Sequence, residues 1–86
     1  MELRHLRYFS VLADELHFGR AAQRLAISQP PLSVAIRQLE EAVGTRLFDR
    51  NSKTVRLTPA GQALRASARR LLRQAEEAAL EARDVA

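Results

Sequence analysis

On a helix turning about 100° per residue, Pro30, Ser33, Val34, Arg37 and Glu41 share one face, with Gln29 at its start. That face carries amide, hydroxyl and guanidinium donors beside small side chains, so the backbone can approach a partner closely while the donors reach outward. The combination suits the edges of nucleic-acid bases. Arg20, Arg50 and Lys53 add charges of the kind that hold phosphate. The other reactive residue types do not converge. Glu40-Glu41 and Glu76-Glu77 are adjacent pairs, which a helix splays about 100° apart instead of aiming both carboxylates at one substrate. His5 and His17 have no cysteine or histidine partner at metal-ligand spacing, and no glycine-rich phosphate loop occurs. These patterns argue against an enzyme, a cofactor and a metal.

Ala21 to Glu40, AAQRLAISQPPLSVAIRQLE, supplies the frame: two helices joined by a tight turn. The first is expected from about Gly19 to Ala26, with Ala22 and Leu25 facing a core and the turn passing through Ala26 and Ile27. Ser28 is placed to cap the second helix by accepting an N–H of its first turn. Pro30 and Pro31 fit that turn, where N–H groups have no helical partner and proline's fixed φ is already helical. Leu32, Ala35, Ile36, Leu39 and Val43 form the packed face opposite the donors. A merely solvated helix face would show similar amphipathicity. The Ser-Gln-Pro-Pro start and the preceding Ala-Ala-x-x-Leu helix favour a helix-turn-helix. Gly44 is placed to end the second helix in the left-handed conformation, where a Cβ is penalised.

An N-terminal helix is expected from Glu2–Arg4 to about Leu16, with Leu3, Leu6, Phe9, Leu12, Ala13 and Leu16 as its apolar stripe and Tyr8 on the rim. After Gly44 the period changes. Arg46 to Arg50 and Thr54 to Leu57 read as two short strands around an Asn51-Ser52-Lys53 turn. A hairpin tip can be polar because it is solvated. Beside a helix-turn-helix it reads as a wing over 50–54, with Arg50 preferred to Lys53 for contact with phosphate or the minor groove.

Thr58-Pro59 repeats the helix-start pattern, threonine as cap and proline first. No proline or glycine follows Gly61, and a helix from Pro59 to Ala86 would extend about 42 Å. Leu64, Ala68, Leu71, Ala75, Ala78, Ala82 and Val85 alternate four- and three-residue spacings over three heptads, and Leu72, Ala79 and Leu80 widen the stripe. The alanines bury little area, so this seam alone makes a weak zipper, and the first helix is expected to pack against it too. Arg65, Arg69, Arg70 and Arg73 precede Glu76, Glu77, Glu81 and Asp84, an unfavourable order for the helix dipole. Antiparallel pairing of two copies sets the basic half of one against the acidic half of the other. A single solvated helix of mixed charge is the alternative.

Eighty-six residues suffice for one small core that buries only roughly 60–65% of the unfolded surface, so support from a second subunit is expected. The formal charge is +4, with 14 basic and 10 acidic residues, and all basic residues but Lys53 are arginine. The segment from Arg20 to Arg56 holds seven basic and three acidic residues and so accounts for the whole excess. That charge is modest for a nucleic-acid binder. Cysteine is absent, which excludes disulfides and fits a reducing compartment. No apolar run reaches the length of a membrane span or a signal-peptide core. A protein-interaction module built on the long helix is the other reading; it would lack salt-dependent duplex binding.

The blocks LRHLRYFSVLADE, FGRAAQRLAISQPPLSVAIRQLEEAVG, RLFDRN and LTPAG, in this order and spacing, resemble the LysR-type bacterial transcription regulators across essentially all 86 residues. The resemblance implies a mainly α fold: a winged helix-turn-helix of three helices and a two-stranded wing over residues 1–58, then a linker and dimerisation helix over 59–86. It implies a recognition helix at 29–43 in the major groove of promoter DNA. Gln29, Pro30, Pro31, Ser33 and Arg37 match the family's reading positions: Gln29 for an adenine edge, the prolines for thymine methyls, Ser33 for phosphate or base. Val34 departs from the basic or hydroxyl residue many relatives carry, which shifts preference toward thymine methyl or shape. His17 and Gly19 stand where a capping hydroxyl is common, so the side-chain phosphate contact there is weakened, although backbone N–H groups can still bind an anion. His17 is expected to be exposed and structurally neutral, with a protonated contact to the partner as the alternative.

The resemblance further implies a homodimer through Leu64, Ala68, Leu71, Leu72, Ala75 and Ala78. Its DNA site would be an interrupted inverted repeat with half-sites about one or more helical turns apart. The expected setting is the bacterial cytoplasm at the nucleoid, with no membrane contact. In the family a larger region normally follows, and a small-molecule effector would act only through such a C-terminal domain, which lies outside these residues.

Overall fold

The computed structural model describes all 86 residues. They fold in the order α1 (Leu3–Glu15), α2 (Phe18–Leu25), α3 (Gln29–Val43), β1 (Phe48–Arg50), β2 (Val55–Leu57) and α4 (Pro59–Val85). The architecture is the expected one, three helices and a two-stranded wing followed by a long helix. Leu6, Phe9 and Leu12 of α1 meet Leu32, Ile36 and Leu39 of α3 in the core, with Leu47 and Phe48 closing it at the base of the wing. Each side chain so buried contributes about 1.5–3 kcal/mol. Phe9 and Phe48 pack with ring centroids 5.4 Å apart and tilted by 55°, an edge-biased geometry that aromatic quadrupoles favour. Ala21 and Ala22 are buried on α2, where small side chains let that short helix sit close to its neighbours.

The helix ends show where periodicity overreaches. Leu3 and Leu16 were both expected in the stripe of α1, yet they are 51% and 41% exposed. Leu3 lies in the first turn, beside a groove toward α4, and Leu16 has left the helix as its left-handed C-cap at φ 49°. Val43, expected on the packed face, is 42% exposed instead, because as the last residue of α3 it overhangs the core. α2 begins at Phe18 and ends at Leu25, one residue earlier at each end than expected. Ala26 takes the left-handed conformation at φ 56°. There its N–H donates to Gln23 and the Ile27 N–H to Ala22, a Schellman closure that satisfies carbonyls at the end of α2. This fixes the tight turn into α3.

Ser28 occupies the cap position of α3, but its hydroxyl makes no capping bond. The expectation fails for a simple reason. A capping oxygen accepts from the second or third helical N–H, and those residues are Pro30 and Pro31, which have none. Gly44 does end the helix as expected, at φ 88°, with its N–H donating to the Glu40 carbonyl at 2.8 Å.

In the wing, Phe48 pairs with Leu57, Asp49 with Arg56 and Arg50 with Val55 in an antiparallel register. The Asn51 side-chain oxygen accepts from the N–H groups of Lys53 and Thr54 at 2.8 and 2.9 Å, which closes the turn. Thr58 then caps α4, accepting from the Gly61 N–H at 3.0 Å while its own hydroxyl donates to the Arg46 carbonyl at 2.8 Å. Gly61 is required by packing: a Cβ there would overlap the Leu47 carbonyl oxygen and come within 2.9 Å of Leu57 Cδ2. The end of α4 projects beyond the domain and gives the molecule its 50 Å long axis. No helix is long and apolar enough to cross a membrane.

Candidate nucleic-acid interface

α3 divides into two faces. Leu32, Ile36 and Leu39 are wholly buried and Ala35 is 5% exposed, whereas Gln29, Pro30, Pro31, Val34 and Arg37 are exposed and Ser33 is half-buried. The packed face holds the helix rigidly against α1, so the opposite face is presented without help from the side chains on it. The two prolines replace N–H groups that would otherwise need water or a cap, and leave a smooth apolar surface at the helix start.

Not every basic residue of the segment is free. Arg20 donates to the Glu15 carboxylate at 3.2 Å and to the Glu15 carbonyl at 3.1 Å. Arg24 lies 3.1 Å from Glu15 and 3.5 Å from Asp14. Arg50, expected at the open tip of the wing, instead turns inward. It lies 3.4 Å from Glu40, covers the Phe18 ring at 5.6 Å, and keeps only 25% of its side chain exposed. Arg37, Arg46, Lys53 and Arg56 have no carboxylate partner. Arg37 and Arg46 border a cleft of about 400 Å³ between the end of α3 and the wing, and Lys53 stands exposed on the turn.

Two residues do more than the sequence suggested. His17 is exposed but not idle: its Nδ1 accepts from the Arg20 N–H at 3.0 Å and so caps α2. Gly19 makes room for it, since a Cβ at that position would come within 2.9 Å of the His17 ring. The pair therefore compensates locally for the absent hydroxyl. In the sequence Glu40 shows only as half of a splayed carboxylate pair; in the fold it does more. Its Oε2 accepts from the Leu47 and Phe48 N–H groups at 2.8 and 3.3 Å, tying α3 to the start of the wing. No local periodicity reveals this contact, because Leu47 and Phe48 lie seven and eight positions on, beyond the Gly44 turn.

The dimerisation candidates on α4 fall into two groups. Ala68 is wholly buried, and Leu64 and Leu72 pack against the domain's own core, so these three are occupied within the protomer. Leu71 is 39% exposed, Ala75 is half-buried and Ala78 is exposed. Residues 58 and 59, where the division is expected, are the cap and first residue of α4, and the first four turns of that helix, through Leu72, pack on the body. Asp14 fastens them. It lies 2.6 Å from Arg65, 3.5 Å from Arg69 and 3.5 Å from Arg24. Desolvation pushes the Asp14 carboxyl up, but the Arg65 hydrogen bond and the charges of Arg65, Arg24 and Arg69 outweigh it and hold the carboxyl below its ordinary value.

A helix-turn-helix with an exposed reading face, flanked by a short hairpin and a long C-terminal helix, defines a winged helix-turn-helix DNA-binding domain. The profile described as bacterial regulatory helix-turn-helix protein, lysR family, matches residues 3–62, and the chain belongs to that family. It is similar to the HTH-type transcriptional regulator BudR of Klebsiella aerogenes, 52% identical over 86 residues, covering 100% of this chain and 60% of that protein. It is also similar to an uncharacterized HTH-type transcriptional regulator of Escherichia coli, YnfL, 54% identical over 82 residues, covering 95% of this chain and 28% of the relative. Among solved structures, the CbnR_DBD-DNA complex superposes with a TM-score of 0.95 at 36% identity, covering 99% of this chain and 98% of that one. The chain spans from 20% to 60% of the length of the curated relatives it matches.

Proposed function

We propose that this domain reads promoter DNA as a homodimer, with α3 in the major groove and the wing on the backbone or minor groove. The observation that carries the reading is the face of α3: Gln29, Pro30, Pro31, Val34 and Arg37 exposed over a fully packed opposite side. Gln29 reads a base edge, Pro30, Pro31 and Val34 lie against thymine methyls, and Ser33 and Arg37 bind base or phosphate. Lys53 supplies the free charge of the wing tip, with Arg46 and Arg56 nearby, while Arg20 and Arg50 reach phosphate only by loosening the ion pairs that hold them. Leu71, Ala75 and Ala78 form the part of the linker seam open to a second copy, and Leu64, Ala68 and Leu72 brace that seam from within. The similarity to a domain solved on DNA supports this placement.

Two such heads on one dimer select an interrupted inverted repeat. The reading places the domain at the bacterial nucleoid, and leaves small-molecule sensing to a C-terminal effector domain of the kind the family carries. Selection of bound duplexes from a random pool at near-physiological salt tests it. Enrichment of an interrupted inverted repeat is the expected result; recovery of no preferred sequence defeats the reading.

A further inference from the structure

Glu40 sits on α3 but faces away from the exposed reading surface, and only 10% of its side chain meets solvent. A carboxylate so enclosed needs partners, and it has three: the Leu47 N–H at 2.8 Å, the Phe48 N–H at 3.3 Å and Arg50 Nη2 at 3.4 Å. The two amides begin the wing. Arg50 ends β1 and also lies over Phe18 at the start of α2. One side chain of α3 thus grips the wing strand at both ends and reaches α2 through the guanidinium. Glu41, its neighbour, is exposed and makes no hydrogen bond or ion pair.

We propose that Glu40 is a positioning residue for DNA reading: it fixes the wing relative to the recognition helix and keeps the Arg50 charge neutralised, and so sets sequence selectivity without touching DNA. This rests on the reading of α3 and the wing given above. Sequence is read through α3 and backbone through the wing, so the selective site is bound best when the two engage in one register. Removing the negative charge loosens that register and releases a cation toward phosphate. The first change lowers the preference for the chosen duplex, and the second strengthens every duplex alike while steepening the salt dependence.

The test compares Glu40→Gln with the unaltered domain on two probes, a duplex recovered by selection and a random-sequence duplex of equal length, over a salt series. Glutamine keeps an oxygen for the Leu47 and Phe48 amides while losing the charge. The expected result is a selectivity ratio lowered about tenfold, together with a salt slope steeper by about one per protomer. A solely structural role moves neither quantity: equal weakening on both probes with an unchanged slope overturns the inference. Should Glu40→Gln lose its circular dichroism signature, Arg50→Gln probes the same clamp from its more exposed end. The expectation there is lower selectivity without a steeper slope, and unaltered selectivity overturns the proposal. Absence of salt-dependent duplex binding by the unaltered domain is a different failure, since it removes the DNA reading itself and this inference with it.

Discussion

Replacing Gly61 with alanine sets two effects against each other. Gly61 lies in the first turn of α4, and alanine is the better helix former by about 1 kcal/mol. Against this, the new Cβ would overlap the Leu47 carbonyl oxygen and come within 2.9 Å of Leu57 Cδ2 and 3.1 Å of the Leu47 carbonyl carbon. Overpacking typically costs about 1–3 kcal/mol. Here the obstacle is backbone, and Leu47 cannot move freely because its N–H is held by Glu40 and its carbonyl accepts from Thr58. The steric cost therefore lies at or above the top of that range, and the net loss is about 2–3 kcal/mol. At about 4–8 °C per kcal/mol for a domain of this size, the melting temperature falls by about 10–20 °C. Thermal unfolding followed by circular dichroism at one fixed protein concentration measures it, since the proposed dimerisation would make the midpoint concentration-dependent. Ala63→Gly, on the exposed side of the same helix, is the control and should lose only about 1 kcal/mol. A Gly61→Ala protein that melts at or above the unaltered temperature would refute the packing argument and leave helix propensity as the winner.

Asp14 gives a pH prediction with a definite sign. Its folded carboxyl is held below the ordinary value of 3.8, so its contribution is present above that pH and disappears as the pH falls through the lower folded value. Stability measured by denaturant titration should therefore drop below about pH 4 more steeply than in Asp14→Asn; parallel curves would remove Asp14 from the acid response. With 39% of the side chain exposed, solvent screening keeps the contribution under about 1 kcal/mol. Gln29→Ala should relax base preference at one half-site position, whereas Lys53→Ala should weaken all duplexes alike and flatten the salt slope by about one. Identical losses on every sequence for both variants would contradict that division. Exchanging Glu76 and Glu77 for arginine should raise the dimer dissociation constant roughly tenfold at low salt, by leaving Arg70 and Arg73 of the facing helix without partners. Sedimentation at matched concentrations decides it, and an unchanged constant would speak against antiparallel pairing.

Signals that depend on a few adjacent residues were legible. Thr58 caps α4, Gly44 ends α3 in the left-handed region, and Asn51 turns the wing, each because a side chain or its absence solves a backbone problem within four residues. The Ser28 cap fails for a reason that is equally local: both N–H groups it would serve are replaced by proline. Periodicity alone puts Leu3, Leu16 and Val43 inside, and a period carries no information about where the core stops. Glu40, Gly61 and Asp14 were opaque for another reason. Their partners lie 7, 14 and 51 positions away respectively in the pairs with Leu47, Leu47 and Arg65, so their roles exist only once the chain has folded.

Net charge misleads in the same way, and the error can be measured. The segment from Arg20 to Arg56 holds seven cations, which taken at face value would release about six counterions per protomer, or about twelve per dimer. In the folded domain Arg20, Arg24 and Arg50 are already committed to Glu15, Asp14 and Glu40. Arg37, Arg46, Lys53 and Arg56 remain, and four phosphate contacts per protomer give a slope of about 3.6, or about seven for the dimer. Fluorescence anisotropy of a selected duplex across a salt series separates the two values, with the lower one expected. A slope near twelve would mean that the three committed arginines leave their carboxylates when DNA arrives. Asp14, Glu15 and Glu40 would then compete with phosphate for these arginines, and the ion pairs that stabilise the free domain would be part of the cost of binding.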